Sequence, residues 1–298
     1  MSIQPATRIA IVGPGAIGTT VAAALHEIGR TPLLCGRTAR DHLTLLDGDR
    51  IIEVPGPVHT RPAPAIPPCD LIFLAVKATQ TEAAAAWLAA LADANTVICV
   101  LQNGIEQIAT LAPLSPSAQL VPAVVWFPAQ SQPDGVVRLR GNARLSLPDS
   151  APARLVARTL EGAQCAVDLA QDFHGLAWRK LMQNAVGGLM ALAQRRCGMF
   201  ARPDIAALAK AYLQECLAVA RADGAQLSDD VPQDILRNFQ TAPADMGTSI
   251  LADRQANRPL EWDIRNGVIA RKGRAHGVPT PISDILVPLL AAASDGPG

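Results

Sequence analysis

The stretch Arg8-Ile-Ala-Ile-Val-Gly13-Pro-Gly15-Ala-Ile-Gly18 decides the fold. Its first half is a short apolar run rich in β-branched residues, which is typical of a buried parallel strand. Its second half spaces three glycines as Gly-x-Gly-x-x-Gly. In a strand–turn–helix unit the first glycine allows a tight turn, the second lets a diphosphate approach the backbone, and the third lets the helix pack against the strand. The motif predicts a dinucleotide site made by Gly13, Pro14, Gly15, Ala16, Ile17 and Gly18. The alternative is a glycine-rich turn without a ligand.

The chain up to about residue 130 alternates strand and helix signals. Apolar runs predict strands at 31–36, 69–76, 96–101 and 120–125, and the spacing of apolar residues or an alanine-rich composition predicts helices at 18–29 and 79–92. Strands that alternate with helices build a parallel sheet with right-handed crossovers. The N-terminal part is therefore predicted to be an α/β domain of the Rossmann type, with a doubly wound sheet.

The pattern changes beyond residue 130. Segments 135–140 and 143–147 alternate apolar and polar residues and predict an antiparallel pair, followed by a helix at 151–163 and an edge strand at 165–169. No strand is predicted after residue 172, whereas apolar stripes predict helices at 205–217 and 261–276. We therefore expect two domains, a dinucleotide-binding domain at 1–170 and an all-helical domain at 171–298.

The composition excludes several classes of protein. The chain has 298 residues, 49% of them hydrophobic, and its 26 basic and 26 acidic residues balance. A neutral chain without a basic run is not expected to bind nucleic acid or a membrane surface. The longest apolar run, 83–92, is too short to span a bilayer, and residues 1–5 lack the features of a secretory signal. Six scattered cysteines and five scattered histidines predict reduced, buried thiols, a cytoplasmic protein and no metal site.

The end of the second predicted strand bears on the choice of cofactor. A site for NAD usually places Asp or Glu there, to bind the ribose 2′-hydroxyl. This strand ends in Leu33-Leu-Cys-Gly36-Arg37. A guanidinium binds a 2′-phosphate through paired hydrogen bonds, so the sequence favours NADP(H). The alternative is that Arg37 is an ordinary solvated loop charge.

Two polar residues follow the next predicted strands, at the strand ends where open α/β sheets bind ligands. Lys77 comes after the strand at 69–76, and Asn103 comes after the strand at 96–101. Both are candidates for contact with a cofactor or substrate. The alternatives are a solvated lysine at a helix start and an asparagine in an Asn-Gly turn.

The helical half offers a candidate proton donor. Trp178-Arg-Lys180-Leu-Met-Gln-Asn184 places Lys180 and Asn184 on one face of a helix whose flanking residues are apolar. A buried lysine is unfavourable unless it has a partner or a catalytic role, and desolvation suits it to act as a general acid. Glu261 is a candidate counter-charge, and Ser249 precedes a polar loop. The alternatives are a surface lysine and a serine that caps a helix or turn.

Together these motifs resemble the ketopantoate reductase (2-dehydropantoate 2-reductase) family over nearly the whole chain. The matching pieces are Gly13-x-Gly15-Ala-x-Gly18, Val76-Lys77-Ala78-x-Gln80, Gln102-Asn103-Gly104, Trp178-Arg-Lys180-Leu-x-x-Asn184, and Ser249-Ile-Leu-x-Asp followed by Glu261-x-Asp-x-x-Asn266-Gly267. The resemblance implies an NADPH-dependent reductase of a 2-keto acid, with ketopantoate as the first substrate to consider and pantothenate biosynthesis as its pathway. The partners it implies are a small keto acid and a second copy of the chain in a homodimer.

The resemblance also implies a role for each matching residue. Lys180 matches the general acid that protonates the carbonyl oxygen as hydride arrives, and Asn103 lies between cofactor and substrate. Asn184 and Ser249 match substrate-binding positions, and Glu261 matches a residue near the nicotinamide ribose that helps to hold Lys180. The positions that match other cofactor contacts are Arg37, Lys77 and, more weakly, Ala129.

Two positions depart from the family pattern. Gly188 and Gly198 stand where family members often have a polar side chain. If these glycines leave open room, a bulkier keto acid without a 4-hydroxyl would be preferred to ketopantoate, and Gly188→Asn would move the preference back. The alternatives to a ketopantoate reductase are a reductase of another keto acid or imine on the same fold, and a non-catalytic NADPH sensor.

Overall fold

The computed structural model describes residues 7–63 and 66–296. The chain divides into two compact units, Met1–Phe173 and His174–Gly298, described separately below. The stretch 1–5, on which the expectation of no secretory signal depended, lies outside the described residues.

The first unit is built on a six-stranded parallel sheet. The strands of this unit are β1 (Ile9–Val12), β2 (Leu33–Cys35), β3 (His42–Asp47), β4 (Arg50–Pro55), β5 (Val58–His59), β6 (Leu71–Leu74), β7 (Val97–Val100), β8 (Gln119–Pro122), β9 (Val124–Val125), β10 (Ala129–Ser131), β11 (Val137–Leu139), β12 (Ala143–Pro148) and β13 (Cys165–Ala170). The main sheet has the order β5-β2-β1-β6-β7-β8, and all its neighbouring strands are parallel. The strand order reverses direction between β1 and β6, which is where such sheets bind ligands.

Both faces of this sheet are buried, as the apolar runs predict. Ile9 and Ile11 of β1 join one apolar cluster, while Ala10 and Val12 join another on the opposite face. Helices α1 (Ala16–Glu27) and α4 (Ala151–Thr159) cover the first face, and α2 (Ala85–Leu91) and α3 (Gln107–Leu111) cover the second. The predicted helix at 79–92 is shorter than expected, because two 3₁₀ turns, Ala78–Gln80 and Glu82–Ala84, precede α2.

Two smaller sheets correct the prediction of an antiparallel pair at 135–140 and 143–147. Strand β11 pairs in parallel with β3 in a four-stranded sheet of order β10-β11-β3-β4, whereas β12 lies in a separate sheet of order β13-β12-β9. The alternating pattern identified strands correctly but paired them wrongly, since alternation specifies which face of a strand is buried and not its partner. The hairpin of β3 and β4 was not predicted.

The second unit is helical. Its helices are α5 (Phe173–Ala193), α6 (Pro203–Ala222), α7 (Val231–Thr241), α8 (Ser249–Gln255), α9 (Val268–His276) and α10 (Pro281–Asp295), with a 3₁₀ turn at Cys197–Ala201 and a π-helical turn at Asp263–Gly267. No strand occurs among its described residues, which end at 296. A Rossmann-type doubly wound domain followed by an all-helical domain is the predicted fold class, and the structure confirms it.

The six cysteines are all free and buried. Burial raises the pKa of Cys35 to about 12 and that of Cys69 to about 11, and it raises the pKa of Cys99 further still. They act as small apolar side chains in the cores of the two units.

Candidate functional site

The glycine motif forms a tight turn between β1 and α1 in which two glycines are required by close packing. Gly13 has a φ of +92°, and a Cβ there would lie 2.6 Å from the backbone nitrogen of Val76. A Cβ on Gly18 would lie 2.5 Å from the carbonyl oxygen of Gly13. The turn is closed by hydrogen bonds from Gly13 N to the Cys35 carbonyl and from Gly15 N to the Gly13 carbonyl, both 2.8 Å long.

The middle glycine leaves open space where a diphosphate would approach. No atom lies within 4 Å of a Cβ built on Gly15, which is exposed. The next residue, Ala16, begins the twelve-residue helix α1, whose first turn carries no acidic side chain. Free N–H groups at such a helix start, together with the helix dipole, bind phosphate. The turn therefore fits the diphosphate of a dinucleotide.

The loop after β2 runs beside this turn. A Cβ on Gly36 would lie 3.0 Å from Cδ of Pro14, so the chain packs against the glycine motif just before Arg37. Arg37 itself is exposed. Its guanidinium is thus available at the carboxyl end of β2, the place at which the ribose of a dinucleotide is bound in this kind of sheet.

Gln102 is a residue that sequence reasoning overlooked, although it belongs to the Gln102-Asn103-Gly104 motif. It is buried, and its Nε2 donates hydrogen bonds to the Val76 carbonyl (3.2 Å) and to Thr81 Oγ1 (2.8 Å). These bonds tie the loop that carries Lys77 to the loop that carries Asn103. Both of these predicted residues are partly buried at the carboxyl ends of β6 and β7.

Ala129 begins β10, the edge strand of the four-stranded sheet. It is partly buried and packs against the same apolar cluster as Ala16 and Ile17. The side chain thus supports the helix that follows the glycine turn.

The second unit contains the predicted proton donor. Lys180 and Asn184 lie one turn apart on α5, and both are partly buried. Burial and, to a lesser extent, the nearby guanidinium of Arg265 together lower the pKa of Lys180 from 10.5 to about 8. A lysine with this pKa gives up its proton more readily than a solvated one and is still largely protonated at neutral pH.

Arg265 joins three of the predicted residues into one group and was itself not predicted. Its Nη2 donates hydrogen bonds to Glu261 Oε2 (3.0 Å) and to Ser249 Oγ (3.1 Å). The side chains of Arg265 and Glu261 are 3% and 7% exposed, whereas Ser249 is exposed. We call Lys180, Ser249, Glu261 and Arg265 the lysine–arginine cluster.

Arg265 lies in the π-helical turn Asp263–Gly267, which the sequence did not predict. The segment 261–276 was predicted as one regular helix, but near its start the backbone hydrogen bonds join residues five apart instead of four. This places Arg265 and Asn266, which are adjacent in sequence, both in the interior. Asn266 Nδ2 donates to the Ala185 carbonyl and to Tyr212 Oη.

Asn266 also corrects the expectation about the two glycines. A Cβ on Gly188 would lie 2.9 Å from Asn266 Nδ2 and 3.1 Å from Cδ1 of Leu290, so the position is filled. A Cβ on Gly198 would lie 3.2 Å from Cβ of Ala244. Asn266 occupies the space where an asparagine at 188 was expected to act, so Gly188 leaves no room for a larger substrate, whereas Gly198 is exposed. The expectation of open room is therefore wrong at Gly188.

No group of three or more His, Cys, Asp or Glu side chains stands in an arrangement that holds a metal ion within residues 7–63 and 66–296. Among the helices that the structure describes, none combines the length and apolar character needed to cross a membrane.

Comparison with known proteins gives a consistent result for both units. The family model described as "Ketopantoate reductase PanE/ApbA" matches residues 9–152, and its C-terminal counterpart matches residues 172–294. The chain is 58% identical to a 2-dehydropantoate 2-reductase of Mycobacterium tuberculosis, over 98% of this chain and 100% of that protein.

More distant relatives agree. The chain is 34% identical to a 2-dehydropantoate 2-reductase of Caulobacter vibrioides over 97% of its length and 99% of that protein. A dimeric ketopantoate reductase from Staphylococcus aureus superposes with a TM-score of 0.89 at 28% identity, covering 98% of this chain and all of the other. The chain therefore belongs to the ketopantoate reductase family and is an oxidoreductase of the 2-dehydropantoate 2-reductase type.

Proposed function

We propose that the protein reduces ketopantoate (2-dehydropantoate) to pantoate with NADPH, and that Lys180 is its general acid. The observation that carries this proposal is a partly buried lysine of lowered pKa, grouped with Ser249 and Glu261 in the lysine–arginine cluster. Family membership supports a nicotinamide cofactor and a place in pantothenate biosynthesis. The first domain, 1–170, binds the cofactor, and the second, 171–298, supplies the proton and holds the substrate.

The reaction needs one hydride and one proton. A bound reduced nicotinamide supplies the hydride to C2 of the keto acid. The Lys180 ammonium group donates its proton to the carbonyl oxygen as negative charge develops there, which gives the 2-hydroxy acid and leaves a neutral lysine. Solvent then reprotonates Lys180, a step that a pKa of about 8 permits near neutral pH. Asn103, Asn184 and Ser249 orient the substrate through hydrogen bonds.

The cofactor contacts are proposed from the glycine turn and strand ends of the first unit and, for Glu261, from the family resemblance. The diphosphate is held by the residues of the glycine turn, Gly13, Pro14, Gly15, Ala16, Ile17 and Gly18. Arg37 and Lys77 bind the 2′-phosphate side of the cofactor. Ala129 and Glu261 make further contacts with the cofactor. A bidentate guanidinium contact to the 2′-phosphate makes NADPH bind at least ~10-fold more tightly than NADH. Fluorescence titration with both cofactors measures this ratio, and Arg37→Ser is expected to remove most of it. Equal affinities in the unaltered protein would contradict the choice of NADP(H).

The experiment that tests the activity follows NADPH oxidation with ketopantoate and with 2-keto acids that lack the 4-hydroxyl. Ketopantoate is expected to give the highest kcat/KM, because Gly188 leaves no room for a larger group. Lys180→Ala is expected to lower kcat by about 10²–10⁴-fold while NADPH still binds. A variant with near-full turnover would show that Lys180 is structural, and an unaltered protein that binds NADPH but reduces none of these compounds would favour a sensor.

Two further proposals concern the oligomeric state of the protein and its cellular compartment. The dimeric relative from Staphylococcus aureus supports a homodimer. The six free, buried cysteines support a reducing compartment such as the cytoplasm.

A further inference from the structure

Arg265 is a buried cation whose bonding is incomplete. Its side chain is 3% exposed, and its Nη2 is bonded to Glu261 and Ser249. Its Nε, however, has no hydrogen-bond acceptor among the residues that the structure describes, and this atom is fully buried. Buried polar groups are nearly always paired, and a guanidinium cannot lose its proton to escape the penalty. The unsatisfied Nε–H therefore points to an acceptor that arrives from outside the protein.

The surroundings of Arg265 are suited to such a ligand. Ser249, to which Arg265 donates through Nη2, is exposed, so solvent and small molecules reach the edge of the lysine–arginine cluster there. Ser249 Oγ accepts from Arg265 and keeps its own hydroxyl hydrogen to donate. Lys180, the proposed proton donor, is close enough to Arg265 for its ammonium group to be destabilised by the guanidinium charge.

A carboxylate suits the missing acceptor in both hydrogen bonding and charge. Both hydrogens of Nη2 are already donated to Glu261 and Ser249, so Nε–H offers the single free contact, and a charge-assisted bond from a guanidinium to a carboxylate oxygen is stronger than a neutral hydrogen bond. Within the cluster, Lys180 and Arg265 are cationic and Glu261 is anionic, so an added carboxylate balances the charge of these four side chains. A 2-keto acid carries its carboxylate on the carbon next to the carbonyl that Lys180 protonates.

We propose that Arg265 is a specificity-determining residue that binds the carboxylate of the 2-keto acid through Nε–H, with the hydroxyl of Ser249 as a second donor. This proposal rests on the proposed function and adds to it the group that selects an acid over a neutral carbonyl compound. The competing explanation is that Arg265 serves only as the partner of Glu261 in a buried ion pair.

The test compares ketopantoate with its primary amide, which keeps every group except the negative charge. The unaltered protein is expected to prefer the acid by at least ~10-fold in kcat/KM, since a charge-assisted contact is lost with the amide. Arg265→Gln should lower this acid-to-amide ratio by about 10–100-fold, and Arg265→Lys, which keeps the charge but not the planar edge, should lower it less. The ratio is measured within one protein, so a general loss of folded enzyme cancels.

Arg274→Gln is the matched control. Arg274 lies in the last turn of α9, nine residues after Arg265, and is exposed. Its replacement removes the same charge from the same stretch of chain and should leave the ratio unchanged. Calorimetric binding of the product pantoate gives a second readout, in which Arg265→Gln weakens binding and Arg274→Gln does not.

The outcomes separate the two proposals. If the unaltered protein reduces neither compound, the proposed function fails. If it reduces both equally well, or if Arg265→Gln or Arg265→Lys folds and keeps the full preference for the acid, Arg265 does not bind the carboxylate and is only the partner of Glu261. The comparison in the unaltered protein needs no variant, so equal rates for acid and amide overturn the carboxylate contact even if both replacements prevent folding.

Discussion

At the scale of single residues, the protonation of Lys180 sets the pH range of the proposed reaction. Its pKa is lowered by burial, and then by Arg265, to about 8. The acid form is the active form, so activity is full below this pH and is lost above it. We expect kcat/KM to be level from about pH 6 to 7 and then to fall close to tenfold per pH unit above about 8.

The measurement is a pH series of kcat/KM with saturating NADPH. Fluorescence titration of NADPH over the same range serves as the control, because cofactor binding must remain constant for the interpretation to hold. A series that stays level up to pH 10 would show either that Lys180 keeps an ordinary pKa or that it does not donate the proton.

Two neighbouring glycines of α5, Gly187 and Gly188, differ in how closely other side chains pack against them. An alanine at Gly188 pushes against the buried amide of Asn266, whereas a Cβ on Gly187 meets only ordinary contacts at 3.6–3.8 Å. Gly188→Ala is expected to lower the free energy of unfolding by about 1–3 kcal/mol. Gly187→Ala is expected to raise it by up to about 1 kcal/mol, because alanine favours a helix more than glycine does. Urea unfolding of both variants checks this, and equal effects would refute the role given to Asn266.

At the scale of elements, Asp223 connects three helices of the second unit. It follows α6, and it accepts hydrogen bonds from Trp178 Nε1 of α5 (3.0 Å) and from Lys272 Nζ of α9 (2.9 Å), while His276 Nε2 lies 2.9 Å from its Oδ1. Burial acts to raise the pKa of Asp223, but these hydrogen bonds outweigh it and hold the pKa below 3.8. A single carboxylate thus fixes the ends of these helices to one another.

Asp223→Asn is expected to lower the free energy of unfolding by about 1–3 kcal/mol at pH 7, because the buried Trp178 and the partly buried Lys272 and His276 lose a charged partner. Because the pKa of Asp223 is lower in the folded protein than the ordinary value of 3.8, its carboxylate stabilises the fold at pH values above 3.8. That stabilisation is lost as the pH falls through the pKa that Asp223 has in the folded protein. The difference between the two proteins should therefore disappear in strong acid. Asp229→Asn is the control, since its side chain is 89% exposed although it pairs with Arg221. Urea unfolding at several pH values measures both, and equal losses would contradict the role of Asp223.

The elements also show which features the sequence could predict. The glycine turn and the buried strands of the main sheet follow from local signals, since a φ of +92° at Gly13 and apolar runs are set within a few residues. The pairing of β11 with β3 joins segments about 90 residues apart, for which alternation contains no information. Arg265 stands four residues after Glu261, so regular helical spacing could have placed it beside that candidate, whereas the π-helical turn around it has no signal in the spacing of apolar residues.

At the scale of the whole molecule, helix α10 bears on the proposed homodimer. Ile285 and Leu289 are 64% and 52% exposed and stand four residues apart, so they form an apolar stripe on one side of the helix. We expect a second copy of the chain to cover this stripe. The double replacement Ile285→Lys and Leu289→Lys should convert a dimer into a monomer, as measured by light scattering. Leu208→Lys, at an exposed position of α6, should leave the mass unchanged. A mass that stays dimeric in the double variant would place the interface elsewhere.

The burial of all six cysteines has a practical consequence for spectroscopy. Thiolates are the species that react with maleimides and with Ellman's reagent, and here burial removes both access and ionisation. The native thiols are therefore expected not to react with a thiol-specific label, so none of the native cysteines has to be replaced before site-directed labelling. One cysteine introduced at exposed Asp229 should take up a single fluorophore per chain within minutes, while the six native thiols become reactive only after denaturation. Distance measurements by energy transfer can thus begin from the unmodified sequence.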